Sequence, residues 1–570
     1  MFKLKYFSIL NKLKIKSPIK SVDNLKTSTL KNGKNLEGTN LEKEIPNQTF
    51  VNSSATSPNK QNVNEKEIEE KGVEIVQPPY LGYLSGVLTS VIDQASGKIG
   101  ETFSSFQQQS KKEDLMNTHK HDASSTNISK VLIKRISRVE VSNLTKMHIE
   151  KLLLAQSTKS KILRIQALTS HIQEFRSSRI VAMKDQLLIE HLINLVNSGT
   201  DTEIREEARK CLSILGNSPP LKSLGIRILS IDGGGTKGMA GLTILGAIEK
   251  ASGKRIYELY DHITGVSTGA ILAVLLGINK ISVEDCREKY MNISSLLFNQ
   301  GTLSGYSGLV LSHSYYNSKL WADILKESVG DSMTCADSAK YEDIAKVGIV
   351  SCIVNSPQLQ PYVFRNYELP PTRDSQYRGG SNYKIWQAVQ ASTAAPGYFE
   401  EVRLGSILHQ DGGVLTNNPT AIAIHEAKNL WPNENIQCVV SIGNGRSVSE
   451  VELSTEDKKK TSILRKLSKI ADSATDTQAI HLCINDLLPD GRYFRFDPYM
   501  NCQYPLNENQ AEKLAQMQKD ADLYVRRNIK KIEDCAKQLT QKPSLTQNLS
   551  NELVKRLKSM GILKNDFEKL

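Results

Sequence analysis

The chain has 570 residues, too many for one compact core, and typical domain sizes imply roughly two to four units. With 39% hydrophobic and 24% charged residues, its composition is that of a soluble globular protein and excludes a wholly disordered one. The net charge of +12 lies in the front of the chain: residues 1–222 hold 33 Lys and Arg against 23 Asp and Glu, which leaves about +2 for the rest.

A basic front can serve targeting, anionic lipid or nucleic acid. No zinc-finger spacing and no Gly-aromatic RNA-binding signature is present, so nucleic acid is not expected as a partner. The eight cysteines are scattered without a CxxC pair, which argues against a zinc site and a disulfide framework and for a reducing compartment.

Residues 1–22 contain six lysines and no acidic residue, interleaved with Phe2, Leu4, Phe7, Ile9 and Leu10. Such a basic amphipathic start suits a mitochondrial leader, although those favour Arg and none occurs here; the alternative is a solvated lysine-rich tail. Residues 23–130 read largely as disordered linker. Within them, positions 75–92 are uncharged, and Leu81, Leu84, Leu88 and Ile92 at helical spacing predict an interfacial helix over 80–92 rather than a membrane span.

Residues 131–220 change to helical periodicity, carried by Ile149, Leu152 and Leu153, by Leu163, Ile165, Leu168 and Ile172, by Leu187, Leu188, Leu192, Ile193 and Val196, and by Ile204, Ala208, Leu212 and Leu215. Three or four helices are expected, forming either a short armadillo-like array or a bundle that docks on the next domain. The 131–216 stretch is also a candidate surface for a protein partner. Gly216-Asn-Ser-Pro-Pro supplies the stop.

After Pro220 the pattern is α/β. Strands are expected at Ile226–Ile231, Tyr260–Thr264, Val347–Val354 and Gln437–Ile442, with a fully apolar core helix at Ala270–Leu276. Alternation of strands and helices predicts a mostly parallel sheet covered on both faces. The boundaries are a catalytic domain over 221–430, then a strand and a helical extension over 431–570. Within that extension, Lys458–Lys460 followed by Ile463, Leu464, Leu467 and Ile470 is a candidate membrane-surface stretch, or equally a solvated helix face.

Three motifs carry chemistry. Asp232-Gly233-Gly234-Gly235-Thr236-Lys237-Gly238 lies between a predicted strand and a predicted helix, where glycine amides and the helix start can hold a phosphate or an oxyanion. It meets the strand-before, helix-after test for a dinucleotide fingerprint, but the acidic residue that should end the second strand is missing, and no GK[ST] completes a P-loop. Gly265-Val266-Ser267-Thr268-Gly269 is a GxSxG on a strand-to-helix turn, the pattern of a nucleophile elbow. Asp411-Gly412-Gly413 is, by itself, an ordinary turn.

In this order, GGGxKG, GVSTG and DGG resemble the patatin-like phospholipase domain over about 226–425. Val363-Phe-Arg-Asn-Tyr, Ala394-Ala-Pro-Gly-Tyr-Phe, His409-Gln-Asp-Gly-Gly, Ser473-Ala-Thr-Asp-Thr and Tyr493-Phe-Arg-Phe extend the likeness to roughly 226–530. The resemblance implies a three-layer α/β fold and a calcium-independent phospholipase that cleaves acyl esters of membrane glycerophospholipids. It implies a dyad of Ser267 as nucleophile and Asp411 as base, without histidine. The oxyanion hole would come from Gly233, Gly234, Gly235, Lys237 and Gly238, the elbow from Gly265 and Gly269, and the DGG turn from Gly412 and Gly413. No metal and no cofactor are implied. The expected setting is peripheral to a membrane, with the mitochondrion favoured and the endoplasmic reticulum or peroxisome as alternatives.

Lys237 stands where the family often has Arg, and the Glu568-Lys-Leu tail departs from a peroxisomal Ser-Lys-Leu. His262, His313, His409, His425 and His481 lie within the likeness, and His409 would share a strand face with Asp411, so a triad is the rival arrangement. Rival functions are a triacylglycerol lipase or lysophospholipase of the same fold, a non-catalytic lipid-binding scaffold, and a nucleotide-binding protein.

Overall fold

The computed structural model describes residues 136–199, 201–298, 316–447 and 477–542. The expectations for the leader, the linker with its 80–92 helix, the 458–470 stretch, the Ser473 fragment, His313 and the C-terminal tail lie outside the described residues.

Five helices occupy the 138–215 region: α1 (Arg138–Leu153), α2 (Thr158–Glu174), α3 (Ser178–Lys184), α4 (Gln186–Ser198) and α5 (Thr202–Leu215). Their starts are fixed by short polar caps. Ser137, Ser157, Asp185 and Asp201 each accept a hydrogen bond from a first-turn amide that the helix itself cannot satisfy. Five helices appear where three or four were expected, because Asp185 ends one short helix and caps the next. Gly216 stops α5 in the left-handed region, at φ 86°. Ile149, Leu152, Ile165, Leu168, Ile172, Leu188, Leu192 and Leu215 form the core of this segment. Leu163 and Leu187, also expected inside, are 57% and 67% exposed, since their neighbours Ile162 and Leu188 take the inward face.

The segment is bound to the following domain by polar contacts. Lys210 Nζ lies 2.6 Å from Asp337, Lys340 Nζ 2.9 Å from Glu207, and the Glu368 amide donates to the Ser213 carbonyl at 3.1 Å.

Nine strands form one sheet: β1 (Ile226–Ile231), β2 (His262–Val266), β3 (Lys346–Ile353), β4 (Gln360–Arg365), β5 (Arg378–Gly380), β6 (Val402–Leu404), β7 (Ile407–Asp411), β8 (Ile436–Ile442) and β9 (Tyr493–Phe496). The order is β9-β8-β1-β2-β3-β4-β5, with β7 pairing β3 and β6. From β9 to β3 every pairing is parallel; β4 and β7 run antiparallel to β3. Every residue of β1, β2 and β3 is buried, as parallel strands covered on both faces require.

Alternation along the strands sorts side chains to two layers. Ile226, Ile228 and Val439 pack against the helix Thr420–Leu430, while Ile231, Val440 and Ile442 join the larger core under the helices Gly238–Ser252 and Ile529–Thr540. The chain therefore folds as helix, sheet and helix. The predicted second strand begins two residues late, at His262, and runs on to Val266. The apolar run after it is wholly buried, but its α-helix ends at Ala273 and continues as a π-turn over Val274–Ile278.

Candidate active site

Strand β2 ends at Val266, and the chain turns at once into the helix Thr268–Ala273. Ser267 sits on that corner at φ 53°, ψ −122°, a conformation L residues adopt only under constraint. The constraint is close packing. A Cβ on Gly265 would fall 2.0 Å from the Gly269 carbonyl oxygen, and one on Gly269 would fall 2.2 Å from that of Ile231. Only glycine fits at either position. The Ser267 amide donates to Ser392 Oγ at 2.9 Å, and Ser392 Oγ donates to the Val350 carbonyl at 2.6 Å.

Asp411 ends β7. Its Oδ2 accepts the Ser267 hydroxyl at 2.5 Å, and its Oδ1 accepts the Gly413 amide at 2.7 Å. The backbone of Asp411 is tied to the Ala394 carbonyl at 2.9 Å. A Cβ on Gly412 would meet the Val350 carbonyl at 2.4 Å, so the DGG turn lies flat against β3.

The register of β3 explains how residues so far apart in sequence meet. Val266 pairs with Val350 and Asp411 pairs with Ser351, both across from the edge of β3 that faces away from β4. Strands β2 and β7 thus lie end to end along one side of β3. Their ends occupy consecutive positions of that strand.

Burial pushes the Asp411 carboxyl up to about 6, although its bonds from Ser267 and Gly413 pull the other way. It remains a carboxylate at neutral pH, but a much better proton acceptor than an exposed aspartate.

The glycine loop follows β1. The amides of Gly233, Lys237 and Gly238 donate within the protein, to Asn417, Gly234 and Gly235 carbonyls respectively. Those of Gly234 and Gly235 have no hydrogen-bond partner among the described residues. The loop is held from several sides. Thr268 Oγ1 and the Tyr290 hydroxyl both donate to the Gly235 carbonyl, at 2.9 and 2.5 Å, and the Thr236 amide donates to the Leu506 carbonyl at 2.9 Å. Asn444 Nδ2 donates to the Asp232 carbonyl at 2.6 Å. Lys237 is drawn below the usual lysine range by burial, with Asp497 partly opposing.

Asp232 itself forms a buried ion pair with Arg495 at 2.7 Å, and Arg495 also lies 3.2 Å from Asp497. Burial disfavours the Arg495 charge, yet the two carboxylates more than offset this and hold its pKa above the ordinary value.

Beside Ser267 opens an apolar pocket lined by Ile271, Ile293, Leu297, Phe298, Trp321 and Phe399, with Gly235 and Ser267 also in its wall. The fragment Ala394-Ala-Pro-Gly-Tyr-Phe supplies Ala395, Tyr398 and Phe399 to its wall. Trp321 is fixed by a 2.9 Å bond from its Nε1 to Thr393 Oγ1.

The four described histidines within the likeness are engaged elsewhere. His409 meets Ser351 Oγ at 2.9 Å and packs on Tyr362; His262 meets the Tyr367 hydroxyl at 2.9 Å; His425 and His481 contact Asn429 and Tyr493. Both oxygens of Asp411 are already occupied by Ser267 and Gly413. Ser392, Tyr290, Asn444 and Arg495 were not singled out from the sequence. Only Arg495 carried a signal, as the one charge within the strand Tyr493-Phe-Arg-Phe.

Residues 229–424 match a family model described as patatin-like phospholipase. Over 419 residues the chain is 41% identical to a protein of Oryctolagus cuniculus named calcium-independent phospholipase A2-gamma, covering 73% of this chain and 52% of that one. The human protein of the same name is 41% identical over 421 residues, 73% of this chain and 53% of its own length. Phospholipase A I of Arabidopsis thaliana is 29% identical over 426 residues, 64% of this chain and 32% of its own. The chain spans about half the length of the mammalian relatives it matches.

Proposed function

We propose that the chain hydrolyses fatty acyl esters of membrane glycerophospholipids through Ser267 and Asp411, a reading supported by the match of residues 229–424 to the patatin-like phospholipase model. The observation that carries this reading is the 2.5 Å bond to Asp411 Oδ2 from the Oγ of Ser267, a residue that lines an apolar pocket. The acyl chain lies in the pocket and the ester carbonyl rests over the elbow. Ser267 Oγ attacks the carbonyl carbon as its proton passes to Asp411. The oxyanion is held by the free amides of Gly234 and Gly235, and each such donor is worth on the order of 100-fold in rate. Asp411 returns the proton to the departing oxygen, releasing lysophospholipid. Water then gives a proton to Asp411 as it attacks the acyl-serine, and Asp411 passes that proton to the leaving Ser267 Oγ as the fatty acid is freed. This cycle uses no metal, so activity should survive a calcium chelator.

Peripheral contact with the lipid surface is supported by exposed leucines beside the pocket. Leu296 is 60% exposed on the helix that supplies Ile293 and Leu297, and Leu506 is 37% exposed at the pocket itself. Mitochondrial delivery by the basic leader belongs to the same reading, and import of residues 1–100 fused to a reporter tests it.

The decisive experiment is labelling with a fluorophosphonate probe, together with fatty acid release from phosphatidylcholine vesicles in the presence of chelator. Wild-type protein should label and hydrolyse, and Ser267→Ala should do neither. Labelling that persists in Ser267→Ala would remove this serine from the chemistry. Labelling without release from phospholipid, but with release from triacylglycerol, would reassign the substrate.

A further inference from the structure

A second cavity lies between the helical segment and the sheet edge, and shares no lining residue with the serine pocket. Its volume is about 440 Å³, within the range of small-molecule sites. One wall is Gln173, Arg176 and Arg179, from the end of α2 and the start of α3. The other is the edge strand β5 with Tyr362 and Tyr383.

The charge of this cavity is unbalanced. Three arginines, Arg176, Arg179 and Arg378, line it against one carboxylate, Glu368. Glu368 is itself shared, accepting Arg179 at a long 3.4 Å and Ser381 Oγ at 2.8 Å. Arg179 spends its two terminal nitrogens on Glu368 and the Leu369 carbonyl, and its Nε has no acceptor among the described residues. Among the described residues Arg176 reaches only the Gly379 carbonyl, at 3.4 Å. Arg378 has no side-chain partner among the described residues. Guanidinium groups converging on a hollow with too few acceptors are matched by a tetrahedral oxyanion, which offers paired oxygens to each planar fork. The Tyr362 and Tyr383 hydroxyls, 3.3 Å apart, add polar groups on the opposite wall.

We propose that this cleft is a second ligand site, specific for a small phosphate-bearing molecule and separate from the site of ester hydrolysis. A soluble metabolite and a lipid headgroup are the two sources of such a phosphate; the chemistry recognised is the same. Arg176 and Arg378 supply the unpaired charge, and Arg179, anchored by Glu368 and Leu369, sets the floor. The site joins residues of the helical segment to residues of the sheet, so occupancy ties the two together across the Gln173–Asn382 bond of 2.9 Å that already bridges them.

The test uses the full chain, with binding followed by calorimetry at constant ionic strength. The soluble probes are inorganic phosphate and glycerol 3-phosphate; the lipid probe is phosphatidylcholine vesicles with and without phosphatidic acid, scored by co-sedimentation. Arg176 and Arg378 are both exposed, so Arg176→Ala/Arg378→Ala should fold, and Arg378→Ala alone is the milder second variant. The expected result is saturable binding of at least one probe, weakened about tenfold or more in the double variant and less in the single one. Hydrolysis of a soluble short-chain ester, measured without phosphate, should be unchanged. Binding of the soluble probes identifies a free metabolite as the source; loss confined to phosphatidic acid vesicles identifies a headgroup. No saturable binding of any probe to wild-type protein, or binding equally strong in the double variant, overturns the proposal.

Discussion

Arg495 Nη2 lies 2.7 Å from Asp232 Oδ2, in a pair whose side chains are 4% and 2% exposed. The same guanidinium reaches Ser441 Oγ at 2.9 Å, Thr477 Oγ1 at 3.2 Å and Asp497 Oδ2 at 3.2 Å. Asp232 immediately precedes the glycines that would hold the oxyanion, so a strand from the 431–570 stretch fixes a loop near the start of the catalytic domain.

Removing this guanidinium should therefore be felt in folding as well as in catalysis. Arg495→Met leaves Asp232 and Asp497 buried without a counter-charge and should lower stability by about 3 kcal/mol or more in urea unfolding. The double variant Arg495→Met/Asp232→Asn should recover part of that loss. If the single and double variants are equally unstable, the pair does not hold the loop.

The elevated Asp411 pKa predicts a pH profile. Asp411 must be ionised to accept the serine proton, so kcat/KM should fall as pH drops below about 6. Its folded pKa lies above the unfolded value, so folded protein holds the extra proton between about pH 4 and 6 and stability declines as pH rises through that window. Asp411→Asn, which cannot ionise, should be inactive yet more stable than wild type at pH 8, with the difference vanishing near pH 4. An equal stability of the two proteins at pH 8 would contradict the desolvated carboxylate.

Ser392 acts through Ser267. Ser392→Ala strips the acceptor from the Ser267 amide at the strained corner and the donor from Val350. We expect kcat to fall roughly tenfold with KM little changed, and stability to fall by about 1–2 kcal/mol. A rise in KM at constant kcat would show that Ser392 shapes the pocket and not the elbow.

His409 separates the dyad from a triad. It is buried, drawn down to about 4 by desolvation and bonded to Ser351, so it is neutral and turned to a different partner. His409→Ala should lose stability, by about 2 kcal/mol as a core truncation, while specific activity stays within a few-fold of wild type. A loss comparable to that of Ser267→Ala would restore a histidine to the chemistry.

The elbow could be read from residues alone because its requirement is local. A strand, a serine between glycines and an apolar helix follow one another within Ile263–Ala273. Four of the five parallel strands, β8, β1, β2 and β3, were equally visible as apolar runs, whereas β9 was not: Tyr493–Phe496 is four residues long with an arginine inside it, in a stretch expected to be helical. Asp411 was identified through its order after two other motifs, since Asp-Gly-Gly has no local mark that separates a base from a turn. The missing information is the register of β3, which sets Asp411 beside Ser267 and is a property of pairing at long range. Ser392 left no trace for the same reason: its role is a contact with residues 125 positions away. Leu163 and Leu187 were misplaced because neighbouring apolar residues offer a helix two possible faces, and tertiary packing chooses between them.

The consecutive seats of β2 and β7 on β3 also bear on how the protein fails when heated. Loops and lids commonly open at a lower free energy than the core, so enzymes whose active groups ride on them lose activity before they melt. Here Asp411 and Val266, the residue just before Ser267, pair with adjacent positions of a strand with no exposed residue. Residual activity and the folded fraction should fall together on a temperature ramp, as one event, and amide exchange at Val350 and Ser351 should be among the slowest in the chain.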